Sequence, residues 1–446
     1  MEEILNIQTP VAFDESVAHY EIHAHQPYTA STYNNSDEIR ISIQHQDLCL
    51  LPARSSLHVC GRIVKADNSF VENASLVNNA ICHLFEEVRY EINAIEIDRC
   101  KNVGLTTLMK GWISINPNQS LENAGWLDVK ETALSLSNNE GYFDVCIPLN
   151  MILGIAENYR KIVVNVKHEL IITRSRNDLN AVVQTAAGNP ATFEDFKINL
   201  TRIEWLMPYV LASNAHKIRL LNYIEKDRPI AMSFHSWELF EYPLLPTTPK
   251  HVWTVKTSNQ MEKPRFVVVG FQKNRKGQKV ANASRSDHCN ISNVKLFLNS
   301  QCYPYGNLNL DISHNQYVSA YYEKQAEPVL NKTDYITHLP LIVIDCSKQN
   351  ESLKSAPMDV RLEFEARNNF PAGTSAYCLI LHDRIVQYNP GFKQPVDDFI
   401  IKELAIAPLH GEHLVWLFKE PFPWRRLSNK YRKENSWLER SYHGIP

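Results

Sequence analysis

Three histidines, His19, His23 and His25, stand closest together in the chain, in the run HYEIHAH. Spacings of four and two are compatible with metal ligation, but no cysteine or second histidine pair follows at zinc-site spacing. The plainer reading is an exposed N-terminal arm over residues 1–34, extended where His25 leads into Gln26-Pro27. Asp287-His288-Cys289 offers a nucleophile beside a base, yet neighbours in a strand point to opposite faces and rarely form a dyad. His382-Asp383 has the same difficulty, and no His-x-Asp supplies the start of a facial iron triad. Glu86-Glu87 and Glu363/Glu365 read as solvated faces rather than as an acid–base pair. No GxGxxG, GxxxxGK[ST], HExxH or GxSxG motif occurs. The nine cysteines include no CxxC pair, and several lie inside apolar runs such as Val145-Cys146-Ile147, where Cys acts as a small hydrophobe. The expectation is a chain that is not an enzyme, with no catalytic, cofactor-binding or metal residues and no small-molecule substrate.

One charged segment has a different character. Residues 419–440 hold seven basic and three acidic side chains, a balance of +4 in a protein of net charge −3. Trp424, Leu427, Tyr431 and Leu438 approximate one helical face, with Arg425, Arg426, Lys430, Arg432 and Lys433 beside them. A basic amphipathic segment of this kind can contact nucleic acid or an anionic membrane surface; the competing reading is a docking arm on a neighbouring subunit.

The elements that would carry these residues are mostly strands. Period-2 alternation recurs at 38–44, 56–64, 87–98 (with a shift that reads as a bulge), 161–173 and 193–206. It returns at 231–241, 251–257, 265–272, 291–299, 340–346, 358–366 and 376–387. Within these β-rich regions helical spacing appears at 103–113, more weakly at 150–159, and at 214–226. Only 14 glycines are present against 39 asparagines, so Asn and Pro must make many of the turns. The polar stretch 174–190, ending in Gly188-Asn189-Pro190, reads as the linker between two β-rich halves. With 446 residues, 44% hydrophobic and 21% charged, disorder is excluded and two or more domains are expected. No apolar run spans a membrane, and the acidic start MEEILNIQTP lacks the pattern of a secretion signal.

Segments 143–172 and 228–305 are similar to double-jelly-roll major capsid proteins of the adintovirus or Polinton-like group and its endogenous invertebrate relatives. Virophage, giant-virus and adenovirus-hexon capsid proteins are more distant kin. The similarity runs through Ile147-Pro148-Leu149 to His168-Glu169, then from Pro264 to Pro304 and Leu341 to Asp345. It implies an all-β fold of two tandem eight-stranded jelly rolls with a few short helices, over residues 35–185 and 190–395, followed by a C-terminal extension at 396–446. It further implies a homotrimer of pseudo-hexameric outline tiling an icosahedral shell. The partners would be other copies, minor capsid or penton proteins, and DNA. The protein would be made in the cytosol and not secreted, with the nucleus as one site of assembly, and reside in the virion. A lectin-like jelly-roll binding module, a metal-dependent cupin enzyme and a domesticated host copy are the alternatives. The proline-aromatic stretch with Trp237, Phe240, Tyr242 and Trp253 is the candidate subunit interface, because aromatics enrich interface cores; filling the second roll's own core is the competing reading.

Overall fold

A computed structural model describes residues 16–28, 32–44, 49–115, 121–127, 135–185, 193–226, 229–258, 264–299, 301–322, 332–348 and 358–390, together with two short strands at 403–406 and 414–417. Statements about structure below concern these residues.

The first half is built from β1 (Val17–His25), β2 (Glu38–Gln44), β3 (Ser56–Val64), β4 (Phe85–Ile92), β5 (Ile95–Lys101), β6 (Tyr142–Pro148), β7 (Lys167–Arg174) and β8 (Lys197–Ala212). They form two antiparallel sheets, ordered β1-β8-β3-β6 and β2-β7-β4-β5. The second half repeats the plan with β9 (Ile230–Tyr242), β10 (Lys250–Ser258), β11 (Pro264–Lys273), β12 (Ile291–Leu298), β13 (Gln301–Tyr303), β14 (Ile342–Asp345), β15 (Met358–Ala366) and β16 (Thr374–Tyr388). Its sheets run β9-β16-β11-β14 and β10-β15-β12-β13. Within each half the strands therefore pair in the orders 1-8-3-6 and 2-7-4-5. That wrapping of first strand against last, in two facing sheets, is a jelly roll, and the chain contains it twice.

Several expectations change. Residues 17–25 do not form a free arm: they are the first strand of the first roll, paired with β8 from His25↔Trp205 to Val17↔Ala212. Residues 197–212 belong to the first roll, not the second, because β8 pairs with β3 from Lys197↔Val64 to Leu206↔Ser56. The polar stretch 174–190 is thus a connection inside the first roll. The passage between rolls carries a helix, Asn214–Glu225, whose first turn closes where the Lys217 N–H donates to the Ser213 carbonyl. The shift near residue 94 is a hairpin turn rather than a bulge: Ile92 pairs with Ile95, and Asn93 and Ala94 have φ of 50° and 61°, the left-handed pair of a tight two-residue turn. Likewise 161–166 is not strand, since Asn165 turns left-handed at φ 54° just before β7.

Besides a single turn at Ala80–His83, the described α-helices of the first half and its exit are α1 (Val103–Ser114), α2 (Gly154–Asn158) and α3 (Asn214–Glu225). The core explains why β11 reads as an unbroken apolar run. Val267, Val269 and Phe271 point into the second roll's own core, while Val268 joins the first roll's. On β16, Ala376, Cys378 and Ile380 alternate in the same way with Tyr377, Leu379 and Leu381. The sheet β9-β16-β11-β14 is buried on both faces, which removes period-2 alternation from its central strands.

Residues 1–391 form one compact unit and 392–446 another; in the latter, Glu403–Ile406 pairs with Leu414–Leu417. No helix among the described residues is long and apolar enough to cross a membrane.

Candidate assembly surfaces

The junction between the rolls sets the template for how one roll meets another. Met232, Phe234 and Trp237 of β9, with Leu379 and Leu381 of β16, pack onto the first roll's core, against a surface to which α1 and α2 contribute Leu108, Met109 and Ile155. The approach of α2 to β9 is so close that a Cβ on Gly154 would stand 1.7 Å from the His235 carbonyl oxygen. The edge of β9 is satisfied by α2: the His235 N–H donates to Asn158 Oδ1 at 2.8 Å. Asp98 in the middle of β5 ties three elements together, accepting from Ser236 Oγ at 2.7 Å, the Ile155 N–H at 3.0 Å and the Arg99 N–H. Burial holds its carboxyl above the usual range while these donors pull it down. Lys110 of α1 pairs with Glu157 and lies 4.8 Å over the Trp237 ring.

Of the four aromatics read as a subunit interface, Trp237 and Trp253 are 3% and 8% exposed. Side chains so enclosed have almost no surface left for a neighbour, so these two fill the chain's own core. Trp237 serves the junction between rolls. Trp253 packs edge-on to Tyr242, with ring centroids 5.7 Å apart, in the second roll's core. Phe240 and Tyr242 are half-buried against that core. Trp424, Arg425, Arg426, Lys430, Arg432 and Lys433 lie outside the described residues.

The residues weighed for chemistry are engaged in structure. His19 and His23 flank Glu21 at 3.2 and 2.6 Å along β1, and His25 Nε2 sits 2.9 Å from the Tyr209 hydroxyl. Asp287 takes a two-pronged ion pair from Arg275 at 2.7 and 2.8 Å. His288 Nδ1 receives the Asn290 N–H, and burial pushes the Cys289 thiol up to about 12. Asp383 pairs with Arg265 and, at 3.2 Å, His235. Each group is turned to a different partner, so neither adjacent pair forms a dyad.

The corresponding sheets of the two rolls differ in what covers them. The second roll's β9-β16-β11-β14 is covered by the first roll. The first roll's β1-β8-β3-β6 faces outward with Arg62, Tyr142, Asp144, Asn199 and Arg202. At its edge, β1 exposes Tyr20 and Ile22, and α3 exposes Ile218, Leu221 and Tyr223. Only Ile224 of α3 is buried, in a small cluster with Cys49, Val164 and Val210. Sequence reading missed this surface because β1 passed for a free arm.

The strand orders agree with family comparison. Residues 74–386 match the model of the double jelly roll-like domain. The chain belongs to that family. The double jelly roll is similar to the Sputnik virophage structure solved by cryo-EM at 3.5 Å, with TM-score 0.53 and 11% identity over 98% of this chain and 96% of that one. It is also similar to a chain of the PBCV-1 virus capsid quasi-atomic model, with TM-score 0.51 and 10% identity over 86% and 97%. Identities this low establish a shared double-jelly-roll architecture. No curated protein matches by sequence.

Proposed function

We propose that this double jelly roll is the building block of a viral capsid, acting as structure rather than as a catalyst. Three copies close into a homotrimer with a pseudo-hexameric outline, and trimers tile an icosahedral shell. The observation that carries this reading is the unequal covering of equivalent sheets. Inside the chain, one roll's 1-8-3-6 sheet is packed on its neighbour, while the first roll's counterpart is left open. A head-to-tail contact of that kind generates a ring when the rotation closes, and six rolls from three chains close it. The solved relatives with the same architecture include a chain of a virus capsid.

The apolar groups of β1 and α3 border the open sheet and lie at the edge of that contact. Minor capsid or penton proteins are the further partners of this reading, and the virion is its location, after synthesis in the cytosol and assembly there or in the nucleus. The segment 419–440 contacts a neighbouring subunit or packaged DNA. Analytical ultracentrifugation at micromolar concentration should give a species of at least three times the 51.3 kDa chain mass, and negative-stain images should show hexagonal outlines. A monomer over the whole concentration range defeats the proposal.

A further inference from the structure

On the outer face of the first roll, three donor groups of different chemistry converge. His58 and Cys60 are alternate residues of β3 and so share its outward face, while Leu57 and Val59 point into the core. Across the ladder, Cys60 pairs with Asp144 of β6. His58 Nε2 lies 2.7 Å from Asp144 Oδ1 and 3.4 Å from Cys60 Sγ, and one donor atom of each residue lies within 4.8 Å of the other two. With zinc–ligand bonds of about 2.0–2.3 Å, tetrahedral geometry sets donor atoms roughly 3.3–3.6 Å apart. The sulfur–nitrogen separation already fits, and the nitrogen–oxygen one needs to open by under about 1 Å.

A second observation concerns the far side of the imidazole. Glu204 of β8 pairs with His58 in the ladder and sets Oε2 3.4 Å from His58 Nδ1. Its other oxygen accepts from Gln26 Nε2 at 3.2 Å. Once an ion is bound in front, a carboxylate behind a histidine keeps Nδ1–H toward itself and leaves the Nε2 lone pair for the ion, the arrangement found behind metal-bound histidines. We propose that His58, Cys60 and Asp144 form a zinc-binding site on the outer face of the first jelly roll, with Glu204 orienting His58 and water in the fourth position.

Binding breaks the His58–Asp144 hydrogen bond. The proton shared by His58 Nε2 and Asp144 and the Cys60 thiol proton both go to solvent, and the freed Nε2 lone pair, the carboxylate oxygen and the thiolate sulfur bond the ion; no electron is transferred. The thiol, imidazole and carboxylate are a borderline-soft set that suits zinc better than calcium or magnesium, which prefer all-oxygen sites. The site lies on the sheet that the proposed trimer covers, but its three ligands come from one chain, so metal binding by the monomer does not depend on that proposal.

Purified full-length protein should be loaded with zinc, freed of excess ion and assayed for bound metal by mass spectrometry, beside His58→Ala, Cys60→Ser and Glu204→Gln variants whose folding is checked by circular dichroism. The expected result is one zinc per chain, lost in His58→Ala and Cys60→Ser. Glu204→Gln should bind about tenfold more weakly, because it keeps the ligands and loses the orienting charge. Replacement by cobalt(II) should give a near-ultraviolet thiolate-to-metal absorption that Cys60→Ser abolishes. The proposal fails if the native chain retains no zinc, if the two ligand variants bind as it does, or if the cobalt absorption survives in Cys60→Ser.

Discussion

At the scale of single residues, asparagine does much of the work that glycine does in other chains. Of the described residues other than glycine with φ in the left-handed region, most are Asn, including Asn68, Asn79, Asn93, Asn102, Asn274 and Asn299. The short polar side chain of Asn tolerates this conformation, so a chain poor in glycine can still turn sharply. Asn93→Ala, beside the already left-handed Ala94, should cost about 1 kcal/mol or more in urea denaturation, and Asn93→Gly less, since it loses only the bond that the Lys167 N–H donates to Asn93 Oδ1. Glycine is kept where a side chain cannot fit. Gly154→Ala should cost about 3 kcal/mol or more, since the new Cβ meets the backbone of β9, whereas Gly306→Ala, with nothing within 4 Å, should stay within about 0.5 kcal/mol of the native chain.

Two buried histidines give the fold an acid limit. His83, 3.0 Å from Ser284 Oγ of the second roll, is held down to about 4, and His168, beside the Tyr90 hydroxyl, to about 3, both by burial. Below about pH 6.5 the unfolded chain takes up these protons while the folded chain does not. Stability therefore falls as pH drops from about 6.5 toward 4, by up to about 1.4 kcal/mol per pH unit for each histidine. Urea midpoints measured from pH 7 to pH 4.5 should show the loss, and a His83→Gln variant that still folds should show a shallower slope.

At the scale of elements, the sequence was most legible where one face is buried and the other wet. β2, with Ile39, Ile41 and Ile43 fully buried, and β15 were read at their observed bounds. Where both faces are buried, as on β11, the strand was recognised but its second partner was not, because an apolar run does not say how many cores it serves. Where neither face is buried, as on β1, the strand was missed: its stability comes from main-chain pairing to β8, which leaves no periodic trace. The zinc candidates were illegible for a related reason, since His58 and Asp144 stand 86 residues apart and only the register of β3 on β6 joins them. Asp98 was hidden in the same way. Asp98→Ala should destabilise by about 3 kcal/mol in thermal or urea melts, because it strips the acceptor from Ser236 and the Ile155 N–H. By contrast, Ile218→Asp with Leu221→Asp on α3 should leave the monomer's melting temperature nearly unchanged and weaken the trimer, read by ultracentrifugation, since both side chains are exposed in the single chain.

At the scale of the whole molecule, the unit spanning residues 1–391 is compact without the last segment. Deletion of everything after Pro421 should leave the circular-dichroism spectrum and melting temperature of both rolls in place. If the tail meets packaged DNA, assembly of the native chain on nucleic acid should weaken steeply with salt, as counterion release requires, and the truncated chain should lose that dependence.

The wrapping order has a consequence for synthesis. The first strand of each roll pairs with its last: β1 waits for β8, and β9 for β16. As the chain leaves the ribosome, the first roll can close once Ala212 has emerged. The surface formed with Leu108, Met109 and Ile155 then remains wet until strands ending at Tyr388 are made and folded over it. Long-range strand pairing is slow, and exposed apolar surface during that interval invites aggregation. The nascent protein should therefore pass through a half-built, sticky stage and depend on chaperones there. A truncated chain ending near residue 229 should be captured by them more strongly than the finished one.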